Sequence, residues 1–128
     1  MKIEHIAIWS PDIDRLRDFY IKYFNAKANK KYENKKTGFS SYFLEFEGAS
    51  RLEIMNISNL SSSKNLEDRQ YGYCHLAIAV GTMFRVMKLT KLLYEDGYEV
   101  VSQPRMTGDG YIESVILDPD GNRIEITK

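Results

Sequence analysis

Only two histidines and one cysteine occur in this chain of 128 residues. A single thiol, Cys74, excludes an intrachain disulfide and fits a reducing cytoplasm. Eighteen basic side chains are balanced by eighteen acidic ones, so the chain lacks the global field that draws nucleic acid or an anionic membrane surface. No apolar run approaches the roughly 18 residues of a membrane span, and the N-terminus enters an apolar strand pattern without the hydrophobic stretch of a leader. What remains is a soluble globular domain with a small-molecule partner. Hydrophobic residues make up 43% of the chain and aromatics 12%, enough for a real core.

The two histidines sit in look-alike segments, Glu4-His5-Ile6-Ala7-Ile8 and Cys74-His75-Leu76-Ala77-Ile78, 70 residues apart. Each is followed by a matching glutamate, in Arg51-Leu52-Glu53-Ile54 and Arg123-Ile124-Glu125-Ile126, 72 residues apart. Such self-similarity reads as a duplicated unit with one His and one Glu per copy.

Each copy reads as strand, helix, then three strands. In the first, Lys2 to Trp9 is a strand, and Ser10-Pro11-Asp12 supplies an N-cap, a proline at the first turn and an acidic residue. The helix that follows carries the stripe Ile13, Leu16, Phe19/Tyr20 and Tyr23/Phe24. Lys27 to Tyr32 is a weak strand, and Ser40 to Phe46 and Arg51 to Ile57 are strong ones. In the second copy the strand is Tyr73 to Val80, and a helix runs from about Met83 to Asp96, with Thr82 as N-cap and Gly97 as its stop. Strands Tyr98 to Ser102, Tyr111 to Leu117 and Arg123 to Thr127 complete it. Asp118-Pro119-Asp120-Gly121-Asn122 forms the last hairpin. Ser58 to Gln70, rich in Ser and Asn, reads as a linker between module 1 (about 1–57) and module 2 (about 71–128).

Side chains alternate across a strand. His5 therefore shares a face with Ala7 and Trp9, while Ile6 and Ile8 take the other; the same holds around Glu53, His75 and Glu125. The apolar alternates are expected to pack under the helices, which turns all four polar residues to the opposite, concave surface. One glutamate between two isoleucines is the ordinary wet face of a strand. Four such residues at equivalent places in two copies are a metal-binding set. Imidazole with carboxylate suits Zn²⁺, Ni²⁺, Co²⁺, Mn²⁺ or Fe²⁺. Without thiolate the set is no structural zinc site, and its open coordination positions imply catalysis.

These residues resemble the vicinal oxygen chelate (glyoxalase/bleomycin resistance/dioxygenase) superfamily. The stretches Glu4-His5-Ile6, Arg15 to Tyr20, Leu52-Glu53-Ile54, Tyr71 to Ala77 and Asp118 to Glu125 are most similar to glyoxalase I, the lactoylglutathione lyase family. The resemblance implies an α+β fold of two βαβββ modules forming a cupped half-barrel. It implies one divalent ion per site, Zn or Ni foremost, held by His5, Glu53, His75 and Glu125. It also implies a homodimer in which His5 and Glu53 of one chain share the metal with His75 and Glu125 of another. The expected reaction is isomerisation of a 2-oxoaldehyde hemithioacetal through an enediolate, with Glu125 as base and Glu53 sharing or replacing that role. Other members of the superfamily are acyl-CoA epimerases and non-catalytic binding or resistance proteins, and both stay as alternatives. Glutamate at both carboxylate positions favours glyoxalase I, because the relatives differ in ligand identity.

One position departs from the pattern. Bacterial glyoxalase I commonly has an arginine four residues after the first histidine, meeting a glutathione carboxylate, where this chain has Trp9. An aromatic wall there points to a different thiol or to a substrate with none. Trp9, Met55, Arg105 and Tyr111 are the expected pocket residues. The lysine-rich run Lys27 to Lys36 reads as a solvated edge, Cys74 as a buried structural thiol, and Gln103 to Gly110 as a connecting loop that leaves Arg105 available to an anionic group.

Overall fold

The computed structural model describes residues 2–48, 50–61, 72–108 and 110–128. They form two compact units, Met1–Lys64 and Asn65–Lys128. In the first, β1 (His5–Trp9), α1 (Ile13–Phe24), β2 (Lys27–Ala28), β3 (Tyr32–Asn34), β4 (Phe39–Glu45) and β5 (Arg51–Asn56) follow in order. The sheet runs β1-β5-β4-β2, with β3 also on β4. In the second, β6 (Leu76–Ala79), α2 (Met83–Glu95), β7 (Val100–Met106), β8 (Ile112–Leu117) and β9 (Arg123–Thr127) give the sheet β6-β9-β8-β7. Both units therefore have the expected α+β order. Of the expected linker, residues 62–70 lie outside the described residues.

Each helix lies on its own sheet, α1 against β4, β5 and β2 and α2 against β8, β7 and β9. Leu16, Phe19, Tyr20 and Tyr23 of α1 are buried with Tyr42, Leu44, Leu52 and Ile54. Val86, Thr90 and Leu93 of α2 are buried with Ser114, Ile116, Ile124 and Ile126. Polar atoms in this second core are matched. The Thr90 hydroxyl donates to the Val86 carbonyl at 2.7 Å, which uses its only proton, so the Ser114 hydroxyl at 2.6 Å is the donor to Thr90.

Several boundaries differ from those expected. The first strand of each unit begins later, at His5 rather than Lys2 and at Leu76 rather than Tyr73. Both are edge strands that the helices do not cover, so Ile6 is 38% exposed and Ile8, Leu76 and Ile78 are only partly buried. The expectation that these residues pack under the helices fails at the edges and holds at Leu52, Ile54, Ile124 and Ile126. Cys74 is exposed, not buried, because it precedes β6 and strand alternation does not reach it. The N-cap of α1 is Asp12, whose carboxylate accepts the Arg15 N–H at 2.9 Å; the Ser10 hydroxyl instead accepts the Asp12 N–H. The weak strand resolves into β2 and β3, both paired with β4.

The largest correction concerns β7, which runs on through Gln103–Met106, where a loop was expected. Pro104 reads as a turn signal, yet β7 is an edge strand whose register shifts between Val100 and Ser102 and again between Ser102 and Arg105, across the proline. A proline there removes no ladder hydrogen bond that the sheet needs. The Asp118 turn is as expected. The Asp118 carboxylate accepts the N–H groups of Asp120 and Asn122 at 2.9 and 2.8 Å and the Asn122 side-chain amide at 2.8 Å, while Gly121 takes the left-handed conformation. Burial is the main influence on this carboxyl and pushes its pKa up, against the pull of those donors.

On unit 1 the lysine-rich stretch is tied down at one point. Lys31 donates to Asp14 at 2.7 Å, Arg17 donates at 2.9 Å and the Tyr42 hydroxyl at 2.7 Å. Lys31 first, then Tyr42, hold the Asp14 carboxyl below its ordinary value of 3.8. A depressed folded pKa means the carboxylate contributes stability above its unfolded pKa and loses that contribution as pH falls through the folded value. Urea unfolding of Asp14→Asn should show lower stability than wild type at pH 7, with the gap closing at pH below about 4. A gap that stays constant into acid would exclude this role for Asp14.

Candidate metal centre

Parallel pairing positions the polar residues in each unit. β1 lies beside β5 with Ala7 opposite Glu53 and Ile8 opposite Ile54; β6 lies beside β9 with Ala77 opposite Glu125 and Ile78 opposite Ile126. Each histidine stands two residues before the alanine, on the same face and one diagonal step from the glutamate. His5 Nε2 is 3.8 Å from a Glu53 carboxylate oxygen, and His75 Nε2 is 3.4 Å from one of Glu125. His75 does this from just outside β6. The two glutamate side chains are mostly covered, at 15% and 19% exposure, and the histidines are more open.

The surroundings of the two pairs differ. His5 Nδ1 pairs with the Glu4 carboxylate, which also accepts from Arg51. These bonds, that to His5 foremost, hold the Glu4 carboxyl low. The imidazole edge meets the Phe43 ring at 5.3 Å and 89°, and the Arg51 guanidinium lies over the same ring at 4.2 Å. In unit 2 the residue before the histidine is Cys74, and the residue opposite Glu125 on β8 is Val115 rather than an aromatic.

The donor set fits a divalent ion. Metal bonds of about 2.1 Å opening at 90° to 110° put an imidazole nitrogen and a carboxylate oxygen roughly 3.0–3.4 Å apart, close to both observed separations. Among the described residues, no cation other than the histidine lies within 4 Å of Glu53 or of Glu125, so each carboxylate keeps acceptor capacity. Each unit by itself offers a pair of ligands, and no group of three or more is gathered among the described residues.

The expected pocket residues separate into distinct settings. Trp9 and Met55 are register partners on the His5 face, and the Trp9 ring meets Phe39 edge to face. Arg105 is not a free loop cation. It sits on β7 opposite Glu113 and donates to its carboxylate at 3.3 Å. Tyr111 precedes β8, with its side chain exposed and its carbonyl accepting the Thr107 N–H. Sequence reasoning missed Glu4, Phe43, Phe39 and Tyr32. Alternation through Ser40 to Phe46 would have put Phe43 on one face, but its place opposite Glu53 depends on a register that no local pattern carries.

Two βαβββ-type units, each with one His–Glu pair at the same point of a parallel strand pair, define a duplicated α+β protein. The chain belongs to the Glyoxalase/Bleomycin resistance protein/Dioxygenase superfamily, whose model matches residues 2–126. The fold is also that of glyoxalase I from Zea mays, with 22% identity and a TM-score of 0.79 over 98% of this chain and 44% of the maize chain. This chain thus spans less than half of the maize enzyme's length. Trypanothione-dependent glyoxalase I of Leishmania major gives 22% identity and 0.79 over 100% of this chain and 86% of that one. A glyoxalase family protein from Enterococcus faecalis gives 22% and 0.79 over 99% and 97%. No curated protein matches the chain in sequence.

With only two histidines present, the imidazole proton resonances are a direct check on this geometry. Phe43→Leu should shift the His5 ring signals, by removing the neighbouring ring current, and leave those of His75 in place. Equal movement of both sets, or none, would contradict the His5–Phe43 contact.

Proposed function

We propose that this chain is a metal-dependent lyase or isomerase of the glyoxalase I type, acting on a hemithioacetal of a 2-oxoaldehyde. The observation that carries the reading is the repetition of one His–Glu pair in one strand register, at 3.8 and 3.4 Å. Two ligands are fewer than the three protein ligands that a catalytic Zn²⁺ ion ordinarily takes. A pair from each kind of unit supplies four. In this reading the two units act as one functional domain, and the complementary pairs meet across a homodimer.

A divalent ion held by His5, Glu53, His75 and Glu125, Zn²⁺ or Ni²⁺ foremost, would supply Lewis-acid stabilisation of negative charge on the substrate oxygens. The rest falls to side chains. Glu125 takes the carbon-bound proton and returns it to the neighbouring carbon. Its mostly covered position beside His75 limits exchange of that proton with bulk water. Glu53 occupies the equivalent place in unit 1 and can serve the opposite face of the substrate. Neutral imidazoles complete the donor set, with His5 oriented through Nδ1 by Glu4, as an outer carboxylate commonly orients a metal-binding histidine. The residue at position 9 counts against glutathione as the thiol in this reading. Trp9 offers no charge to a glutathione carboxylate, and a trypanothione-dependent relative shares the fold.

Protein purified without chelator should carry, or take up from Ni²⁺ or Zn²⁺, about one equivalent per four-ligand set. Isomerisation of methylglyoxal hemithioacetals made with several thiols should then fall about 10²- to 10⁴-fold in Glu125→Gln. Metal content below about a tenth of an equivalent, with no gain on adding metal, would overturn the enzyme reading, and full activity in Glu125→Gln would remove Glu125 as base.

Sharing between chains has its own signature. A His5→Ala/Glu53→Gln chain and a His75→Ala/Glu125→Gln chain, each inactive alone, should recover roughly a quarter of wild-type activity when mixed equally and allowed to exchange. No recovery after proven subunit exchange would place all four ligands within one chain.

A further inference from the structure

One row of side chains on the His5 face of unit 1 has no part in the metal chemistry. The register places Trp9 beside Met55, Met55 beside Ser41, and Ser41 beside Tyr32. Phe39 and Asn34 pair at the next step outward. Trp9 meets Phe39 at 6.3 Å and 88°, and Tyr32 meets Phe39 at 6.1 Å and 57°. Trp9 is 47% exposed and Tyr32 54%. Three rings thus form an angled wall, joined through Phe39, with Trp9 and Tyr32 open to solvent and Phe39 half-buried between them, on a face that elsewhere carries His5, Arg51 and Glu53.

We propose that the Trp9–Phe39–Tyr32 wall binds an uncharged aromatic ring of the substrate, either on its thiol or on its oxoaldehyde. The proposal rests on the lyase reading above and names the substrate class of that site. Three features carry it.

The wall has no charge to offer. None of Trp9, Met55, Ser41, Tyr32, Phe39 and Asn34 is an acidic or basic residue of the Asp, Glu, Lys, Arg or His type, and the Asn34 side-chain oxygen is taken up by its own turn, accepting the Lys36 and Thr37 N–H groups. A carboxylate seated here would lose water and find no cation to pair with. Geometry favours a ring over an aliphatic group, because the near-perpendicular Trp9–Phe39 pair leaves a corner where a further ring can stack on one member and meet the other edge-on. Position ties the wall to the reacting centre. Trp9 lies two residues beyond Ala7, the register partner of Glu53, so the aromatic row is about 7 Å along the sheet from the carboxylate row. That is the reach of an aryl or benzyl group attached within a few bonds of the metal-facing oxygens.

Trp9 is the chain's only tryptophan, so its indole N–H gives a single reporter signal in an NMR spectrum, with or without metal. Benzyl alcohol, as a neutral aromatic probe, should move that signal saturably. Cyclohexylmethanol, of similar size and polarity, and S-methyl glutathione should bind at least tenfold more weakly. Phe39→Leu, which keeps a bulky apolar side chain, and Tyr32→Ala, at an exposed site, should each weaken benzyl alcohol about tenfold, the effect of losing a ring contact. Glu53→Gln should leave it unchanged. A linear shift with no saturation, equal binding of cyclohexylmethanol, or full affinity in both ring variants would overturn the proposal. The two readings separate cleanly. Protein that binds the probe but no Ni²⁺ or Zn²⁺ counts against the lyase and for the aromatic wall, whereas protein that holds metal and ignores the probe counts against the wall alone.

Discussion

The parallel pairing of each unit's first strand with its last is the constraint on which the candidate site depends. A parallel pair needs a crossover, and in both units the helix and the inner strands provide it. The glutamate then stands opposite an alanine, at Ala7 and at Ala77, and the small methyl leaves room for the histidine two residues earlier to reach across. A slip of one residue would turn both carboxylates into the helix-covered core. The core itself resists the slip. Leu52, Ile54, Ile124 and Ile126 are at most 2% exposed, so moving Glu53 or Glu125 inward would bury a charge and expose two large apolar side chains on either flank.

The same constraint explains why the polar residues sit where the structure is stiffest on one side and most open on the other. Glu53 and Glu125 lie on inner strands backed by helices; His5 and His75 begin uncovered edges. The carboxylates are therefore held and the imidazoles are accessible. In unit 2 the Asp118 turn adds to this, because its buried carboxylate holds Asn122, the residue just before Arg123 at the start of β9, and so helps to fix where Glu125 falls. In unit 1 the work is shared differently, with Glu4, Arg51 and Phe43 gathered around His5. Two copies of one plan have thus kept the ligand geometry and changed what surrounds it.

That division also accounts for what could be read from the sequence. The helices with their caps at Thr82 and Gly97, the Asp118 hairpin and the strand around Glu125 have local signals: periodicity of 3.6 or 2, a hydroxyl before a helix, a glycine at positive φ. Duplication supplied the rest, since neither glutamate stands out alone. The errors fall where a local signal meets an edge. Lys2 to Glu4 and Tyr73 to His75 alternate like strand but have too little beside them to pair with, and the alternation that made Cys74 a core thiol stops short of it. Pro104 reads as a turn, but an edge strand tolerates it, which places Arg105 on β7 with Glu113. Which side chains from β3 and β4 would stand near His5 and Trp9 was not legible, because the register between strands distant in sequence is settled by the packed sheet.

On the proposed reading, chemistry and selectivity on this face are governed by different physics. At the His5–Glu53 row the side chains are ionisable and suited to a cation, and binding there would depend on charge and on the loss of water from charged groups. One step along, at Trp9, Met55 and Tyr32, there is no acidic or basic side chain of the Asp, Glu, Lys, Arg or His type, and binding there would depend on ring area and ring orientation. A substrate spanning both rows must offer hard oxygen donors at one end and a flat, uncharged group at the other. The opposite arrangement, with a charged tail lying over the rings, loses hydration at the tail and leaves the rings partly exposed to water, so both contributions run against it. Specificity would then be decided less by the groups that hold the ion than by the one aromatic side chain standing four residues beyond His5.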